Sequence, residues 1–235
     1  MQYIPVKTRI LKPPKDDLFS VLDEYLPVIK ERDVVVISSK VVAIGEGRCV
    51  KESDFNKKEH IEKEAEVIIP RPYWKAPLTI TNHVMVSSSG VDRSNSNGYY
   101  TLLPADPFAS AEKICAYLKN RFKIRDLGII ITDSVSSPCR FGATGRAIGF
   151  WGFVPLKNHI GEKDLFGRKI KYERANLVDG IASGANVLMG EVAECTPIVI
   201  ARGLDNLEFK DGNFKNILFC SFAEDTFRIL YERFL

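Results

Sequence analysis

The chain has 235 residues, 45% hydrophobic and 27% charged, enough to bury a full core without disulfide or metal staples. Its 33 lysines and arginines against 30 aspartates and glutamates leave a net charge of +3, which gives no support to a nucleic-acid or anionic-membrane partner. Five scattered cysteines with no Cys-x-x-Cys pair indicate neither a zinc site nor a disulfide framework and fit a reduced, cytoplasmic setting.

The N-terminus is too polar for a signal peptide, and no run of about 18 apolar residues occurs anywhere, so a soluble protein is expected. Residues 2–6 read as a short strand. Asp16 and Asp17 precede Leu18, Val21, Leu22, Tyr25 and Ile29 at helical spacing, so both acids are expected to cap a helix. Asp33 to Ser39 is a strand buried on both faces that ends in hydroxyls. Gly45-Glu46-Gly47-Arg48 reads as a turn carrying opposite charges. Residues 56–66 form a charged helix with a thin apolar stripe, on which His60 stands alone as a surface residue. Pro70, Pro72 and Pro77 end helical structure. Residues 78–81 and 84–88 pair as strands and lead into a polar loop of turn formers at 89–98.

Asp106 then caps a helix with Pro107 in its first turn, apolar at Ala111, Ile114, Cys115, Leu118 and Phe122. Gly128 to Ile131 is a buried strand that delivers Thr132, Asp133 and Ser134 at its end. From Phe141 to Phe150 a period of two puts Ala143, Gly145, Ala147 and Gly149 on one face, which would let another backbone or a ligand approach closely. Residues 164–168 turn into a strand through Tyr172. Residues 176–189 are helical and stop at Gly190, and 196–201 form an apolar strand. Ser221 and Glu224 make a capping box for a last helix that buries Ala223, Phe227, Leu230, Tyr231 and Phe234. Strands and helices mix without β-α-β alternation and no repeat occurs. The expected class is α+β, with mixed and antiparallel sheets and flanking helices, as one domain over 1–235 or two interlocked subdomains.

There is no phosphate-binding Walker loop, no dinucleotide fingerprint and no nucleophile elbow. His83 and His159 lack a triad or metal pattern and read as structural. What remains is Asp92, Asp133 and Glu191 in polar stretches, with hydroxyls and arginines nearby. Carboxylates beside hydroxyls suit hard cations such as Mg²⁺ or Mn²⁺. Arg140 and Arg146 are candidate clamps for a carboxylate or phosphate, which guanidinium grips in bidentate fashion. These residues suggest a metal-assisted phosphate site; two strands joined by a polar loop, without chemistry, account for the central window equally well.

An ordered set of short blocks adds to this reading. They are Ile4-Pro5-Val6, Ser38-Ser39, Glu46-Gly47-Arg48, Gly90-Val91-Asp92-x-x-Asn95 and Leu103-Pro104-x-Asp106-Pro107. Gly128-Ile-Ile-Ile-Thr-Asp133-Ser134 follows, then Arg140-x-Gly142, Gly145-x-Ala147-Ile148-Gly149, Asp164-Leu-Phe-Gly-Arg168 and Leu188-Met-Gly-Glu191. Together they resemble the coenzyme F420-0:γ-glutamyl ligase family. The nearest subgroup is the bacterial one labelled folate-metabolism γ-glutamate ligases, which shares Asn97-Gly-Tyr-Tyr100 and the compact 70–77 region.

The resemblance implies an enzyme that uses GTP and Mg²⁺ or Mn²⁺, with K⁺ as a further cation. Such an enzyme joins L-glutamate to a folate-like or F420-like carboxylate through an acyl phosphate, and works as a homodimer. Position by position, it implies Asp92 and Asp133 as ligands of one metal, with Ser134 (threonine in many relatives) and Glu191 as ligands of a second. Arg9, Ile10, Leu11, Lys12, Ser38, Ser39 and Asn95 match its nucleotide contacts. The chain departs from the pattern where the family's nucleotide-contacting lysine aligns with Ile44, Lys40 lying nearby. It also lacks the helical segment that archaeal ligases carry between residues 66 and 77. A nucleotide- or cofactor-binding protein without catalysis, and a metal-dependent phosphohydrolase, are the alternatives.

Overall fold

The computed structural model describes residues 1–235. The chain starts with β1 (Gln2–Val6) and α1 (Leu18–Tyr25), where the Asp17 carboxylate accepts the Phe19 and Ser20 amides as a cap. Asp16 does not share that task. Its two oxygens are taken by the Arg9 guanidinium, at 2.7 Å each, and by the Lys12 amide at 2.8 Å, so it ties down the loop before the helix. β2 (Asp33–Ser38) runs straight into α2 (Ser39–Glu46). The expected turn at 45–48 is thus the end of a helix, with Gly47 at φ 73° as its left-handed cap. Three β-branched residues, Val41, Val42 and Ile44, hide this helix from propensity; their burial decides the matter.

β3 (Cys49–Lys51), α3 (Lys57–Glu64), β4 (Val67–Ile69), β5 (Leu78–Thr81), β6 (Val84–Ser87) and β7 (Tyr99–Thr101) follow. β4, β5 and β6 form an antiparallel sheet, and β3 pairs with β7. His60 on α3 is half-buried against Phe55 rather than simply exposed. α4 (Pro107–Phe122) is capped by Asp106 as expected and leads to β8 (Leu127–Ser136) and β9 (Ala143–Trp151). The chain closes with the short pair β10 (Leu156–Asn158) and β11 (Arg174–Asn176), then α5 (Leu177–Met189), β12 (Ile198–Arg202) and α6 (Lys215–Leu218).

The main sheet has the order β1-β12-β2-β8-β9, and only β2 and β8 in it are parallel. Val35, Ile37, Ile129 and Ile131 pack on the side of α1, α2 and α4, whereas Val34, Val36 and Ile130 pack on the side of α5. Both faces being covered explains why these strands read as unbroken apolar runs. Asp33, buried at the start of β2, receives a bidentate grip from Arg202 of β12 at 2.7 and 2.8 Å.

A bulge lies between Ile131 and Thr132: Ile131 faces Gly149 but Thr132 faces Ala147, so Ile148 is the extra residue on β9. The small residues of β9 therefore do not share one face. Gly145 makes room for Ala182 and Asn186 of α5, and Gly149 for Pro107 of α4.

Two further expectations fail. No strand covers 168–172; the segment turns on Asp164, whose carboxylate accepts the Phe166 and Arg168 amides, and the pairing is carried by β10 and β11. No helix forms after Ser221. The capping bonds between Ser221 and Glu224 exist, but only 3₁₀ turns at Arg228–Leu230 and Glu232–Phe234 follow. Of the apolar stripe only Tyr231 is buried, so a helix there would have no surface to pack on.

Candidate functional site

The parallel pair places Ser38 in register with Thr132, so the residues after them, Ser39 and Asp133, emerge side by side where β2 stops and its pairing with β8 ends. Ligands of sheets with parallel strands occupy the crevice at that end. Here a cleft of about 690 Å³ opens, walled by residues 8–11, by α2, by the 90–97 loop, by Thr132–Ser134 and by the 186–197 segment.

Asp133 stands at the floor. The Ser39 hydroxyl, itself buried, donates to its carboxylate at 2.8 Å. Burial pushes the Asp133 carboxyl above its ordinary value, the Asp92 charge adds to that push, and the bonds from the Ser39 hydroxyl and the Ser134 amide oppose it. Asp92 enters from the opposite loop. It lies 2.6 Å from the Lys40 ammonium and accepts the Ser94 amide at 2.7 Å and the Ser94 hydroxyl at 2.9 Å. Burial works against its charge, but Lys40 and Ser94 outweigh burial and hold this carboxyl below its ordinary value.

A second cluster forms beside the first. The Ser134 hydroxyl donates to Glu191 at 3.1 Å, and the Asn186 amide donates to the same oxygen at 2.8 Å. Asn95 bridges the cleft mouth, its amide donating to the Val192 carbonyl at 2.6 Å. Asp92, Asp133, Ser134 and Glu191 thus line one cleft, as two neighbouring pairs. No three His, Cys, Asp or Glu side chains converge tightly enough to make a ligand set alone. The donors are carboxylate and hydroxyl oxygens, and a cation, the Lys40 ammonium, already sits against one of them; this set fits Mg²⁺ or Mn²⁺, which take oxygen ligands and keep several waters.

Of the nucleotide-contact candidates, Arg9, Ile10, Leu11, Ser38 and Asn95 line the cleft; Lys12 and Ser39 do not, the Lys12 amide donating to Asp16 and the Ser39 hydroxyl to Asp133. Arg140 and Arg146 do not line it either. Arg146 points to α5, where it pairs with Asp179 at 3.1 Å, while Asp179 also accepts the Ala147 amide. Arg140 is exposed in the turn between β8 and β9. The Glu46 and Arg48 side chains are scaffold: Glu46 accepts the Ala105 amide at 2.9 Å, and Arg48 donates to the Leu103 carbonyl at 3.1 Å.

Two site residues escape a reading of the sequence, Ser94 and Asn186, and Lys40 is noted there only as lying near the lysine position that Ile44 occupies. Lys40 and Ile44 both face the cleft because they are one helical turn apart on α2, a spacing visible only once that segment is recognised as helix. Asn186 is an amide within the apolar stripe of α5, buried beside the cleft.

The family model described as F420-0:Gamma-glutamyl ligase matches residues 5–203. The coenzyme F420:L-glutamate ligase of Methanosarcina mazei is 35% identical over 209 residues, covering 81% of each chain. That of Methanocaldococcus jannaschii is 36% identical over 217 residues, covering 85% of this chain and 86% of the relative. That of Methanococcus maripaludis is 32% identical across 97% of both. With the match spanning β2, β8, β9, β12 and every wall of the cleft, the chain belongs to the F420-0:γ-glutamyl ligase family.

Proposed function

We propose that this ligase uses GTP and divalent metal to form an amide between L-glutamate and a carboxylate-bearing acceptor, either an F420-type or a folate-like cofactor. The observation that carries this reading is the placement of Asp92, Asp133, Ser134 and Glu191 around one cleft where the parallel pairing of β2 and β8 ends.

A carboxylate is a poor acyl donor. In the proposed reaction the acceptor carboxylate attacks the γ-phosphorus of GTP, GDP leaves, and the resulting acyl phosphate offers a good leaving group. The glutamate amine then attacks the acyl carbon, loses a proton, and phosphate departs. Asp92 with Asp133, and Ser134 with Glu191, would hold two cations, which when bound neutralise phosphate charge for in-line transfer. The protein's own part is orientation. Ser39 fixes the rotamer of Asp133, and Asn186 fixes that of Glu191. Asp16 anchors the loop carrying Arg9 to Leu11, which would flank the nucleotide.

The test is incubation with GTP, Mn²⁺ and glutamate against a panel of deazaflavin and folate acceptors. The expected product is heavier by one glutamyl unit and appears with equimolar GDP and phosphate. Phosphate release that ignores glutamate and acceptor would identify a phosphohydrolase instead, and nucleotide binding without turnover would identify a binding protein.

A further inference from the structure

Lys40 occupies a position that the proposed reaction does not use. Its ammonium meets three acceptors at once: the Asp92 carboxylate at 2.6 Å, the Ser94 carbonyl at 2.9 Å and the Ser94 hydroxyl at 2.8 Å. An ammonium has three protons, so all its donors are spent. The side chain is only 24% exposed and reaches from α2 across to the 90–97 loop, lining the cleft with Asp92 and Asp133. A cation drawn to Asp92 would meet a carboxylate that already has a cationic partner.

We infer that Lys40 is a place-holding cation that keeps Asp92 neutralised until nucleotide arrives, and then passes to the phosphate oxygens as divalent metal takes the carboxylate. The inference rests on the assignment of Asp92 as a metal ligand. Its physical content is an exchange of partners. Without nucleotide, metal binding must take the Asp92 carboxylate from Lys40 and leave its ammonium with the two neutral Ser94 oxygens and no charged partner in a half-buried wall, which costs more than the exchange is worth. A triphosphate supplies new acceptors for the ammonium and removes that cost. Metal and nucleotide then bind with positive coupling, and by reciprocity each raises the affinity for the other by the same factor. Removing the ammonium abolishes the competition and the coupling together.

The experiment is a Mn²⁺ titration of the full chain, following the free aqua-ion by electron paramagnetic resonance, with and without a non-hydrolysable GTP analogue. Lys40→Met keeps the stem and removes the charge. In the nucleotide-free protein it is expected to tighten Mn²⁺ binding on the order of tenfold, while the gain in Mn²⁺ affinity on adding the analogue shrinks by a comparable factor. Lys40→Arg keeps the charge and is expected to stay near wild type without nucleotide. Unchanged or weaker Mn²⁺ binding by nucleotide-free Lys40→Met overturns the inference. Asp92→Asn separates it from the assignment beneath it. If that variant weakens Mn²⁺ binding while Lys40→Met leaves it unaltered, only the place-holding role falls. If Asp92→Asn has no effect, the ligand assignment of Asp92 falls, and the inference falls with it.

Discussion

The Ser39 hydroxyl, at the start of α2, donates a hydrogen bond to the Asp133 carboxylate of β8 at 2.8 Å from a position behind the cleft wall. The bond opposes the burial that raises the Asp133 carboxyl. Ser39→Ala removes it, so Asp133 holds its proton to higher pH. A hydrogen bond to a charged group contributes ~1.5–3 kcal/mol, so kcat/KM at neutral pH is expected to fall by about tenfold or more. The acid limb of the pH–rate profile should move upward. A profile superimposable on wild type would show that the serine does nothing for the carboxylate.

Asp133 itself opposes the fold. A carboxyl raised above its unfolded value supports the folded state below that value, and this support is lost as pH rises through the folded one. At neutral pH the charged form is therefore destabilising, and Asp133→Asn relieves it. Thermal melting at pH 7 should show Tm higher by ~2–4 °C with turnover gone. The gain should vanish below about pH 4, where the carboxyl is protonated in both states.

Asp33 and Arg202 form the opposite case, a buried carboxylate whose charge is answered. Asp33 has a side chain 1% exposed and takes both arms of the guanidinium. Arg202→Met leaves that carboxylate with the Lys30 amide alone. The expected loss is ~3–5 kcal/mol in urea denaturation, and adding Asp33→Asn to the same chain should recover part of it.

Tyr231 anchors the C-terminal tail. It packs with Val67 and Ile80 of the small sheet, and its hydroxyl donates to Asp225 at 2.6 Å. Burial and that bond push the phenol up to about 12, so it stays protonated throughout the ordinary range. Tyr231→Ala should cost ~3 kcal/mol and free the tail. Hydrogen exchange should accelerate in β4 and β5 and in 221–235, and remain unchanged in β2 and β8.

The apolar runs at 33–38 and 127–131 declared buried strands because side chains on both faces had to be β-branched and apolar, and that is how both strands are packed. Two helix starts were legible from Asp17 and Asp106, which both cap as their positions suggest. What stayed hidden was decided by distant partners. α2 carries β-branched residues and a serine that makes no side-chain cap bond, so only its burial between the sheet and α1 makes it a helix. The bulge at Thr132 arises from the pairing with β9, which nothing local to either strand announces. Arg146 offered the right chemistry for a clamp, but the aspartate that holds it comes from a helix 33 residues further along. The tail illustrates the reverse failure, with capping chemistry and apolar spacing present and no surface to receive a helix.

β12 lies between β1 and β2, so the first strand of the chain has no neighbour until residues 198–202 exist. A nascent chain on the ribosome can fold its local helices and hairpins, but the sheet stays open until residues 198–202 have been made. Assembly therefore waits on contacts of very long sequence separation, which slows it relative to a chain of local contacts. A product that stops before residue 198 would expose β1 and β2 as bare edges ready to pair with other chains. Such a fragment should be recovered as aggregate rather than as a smaller working enzyme.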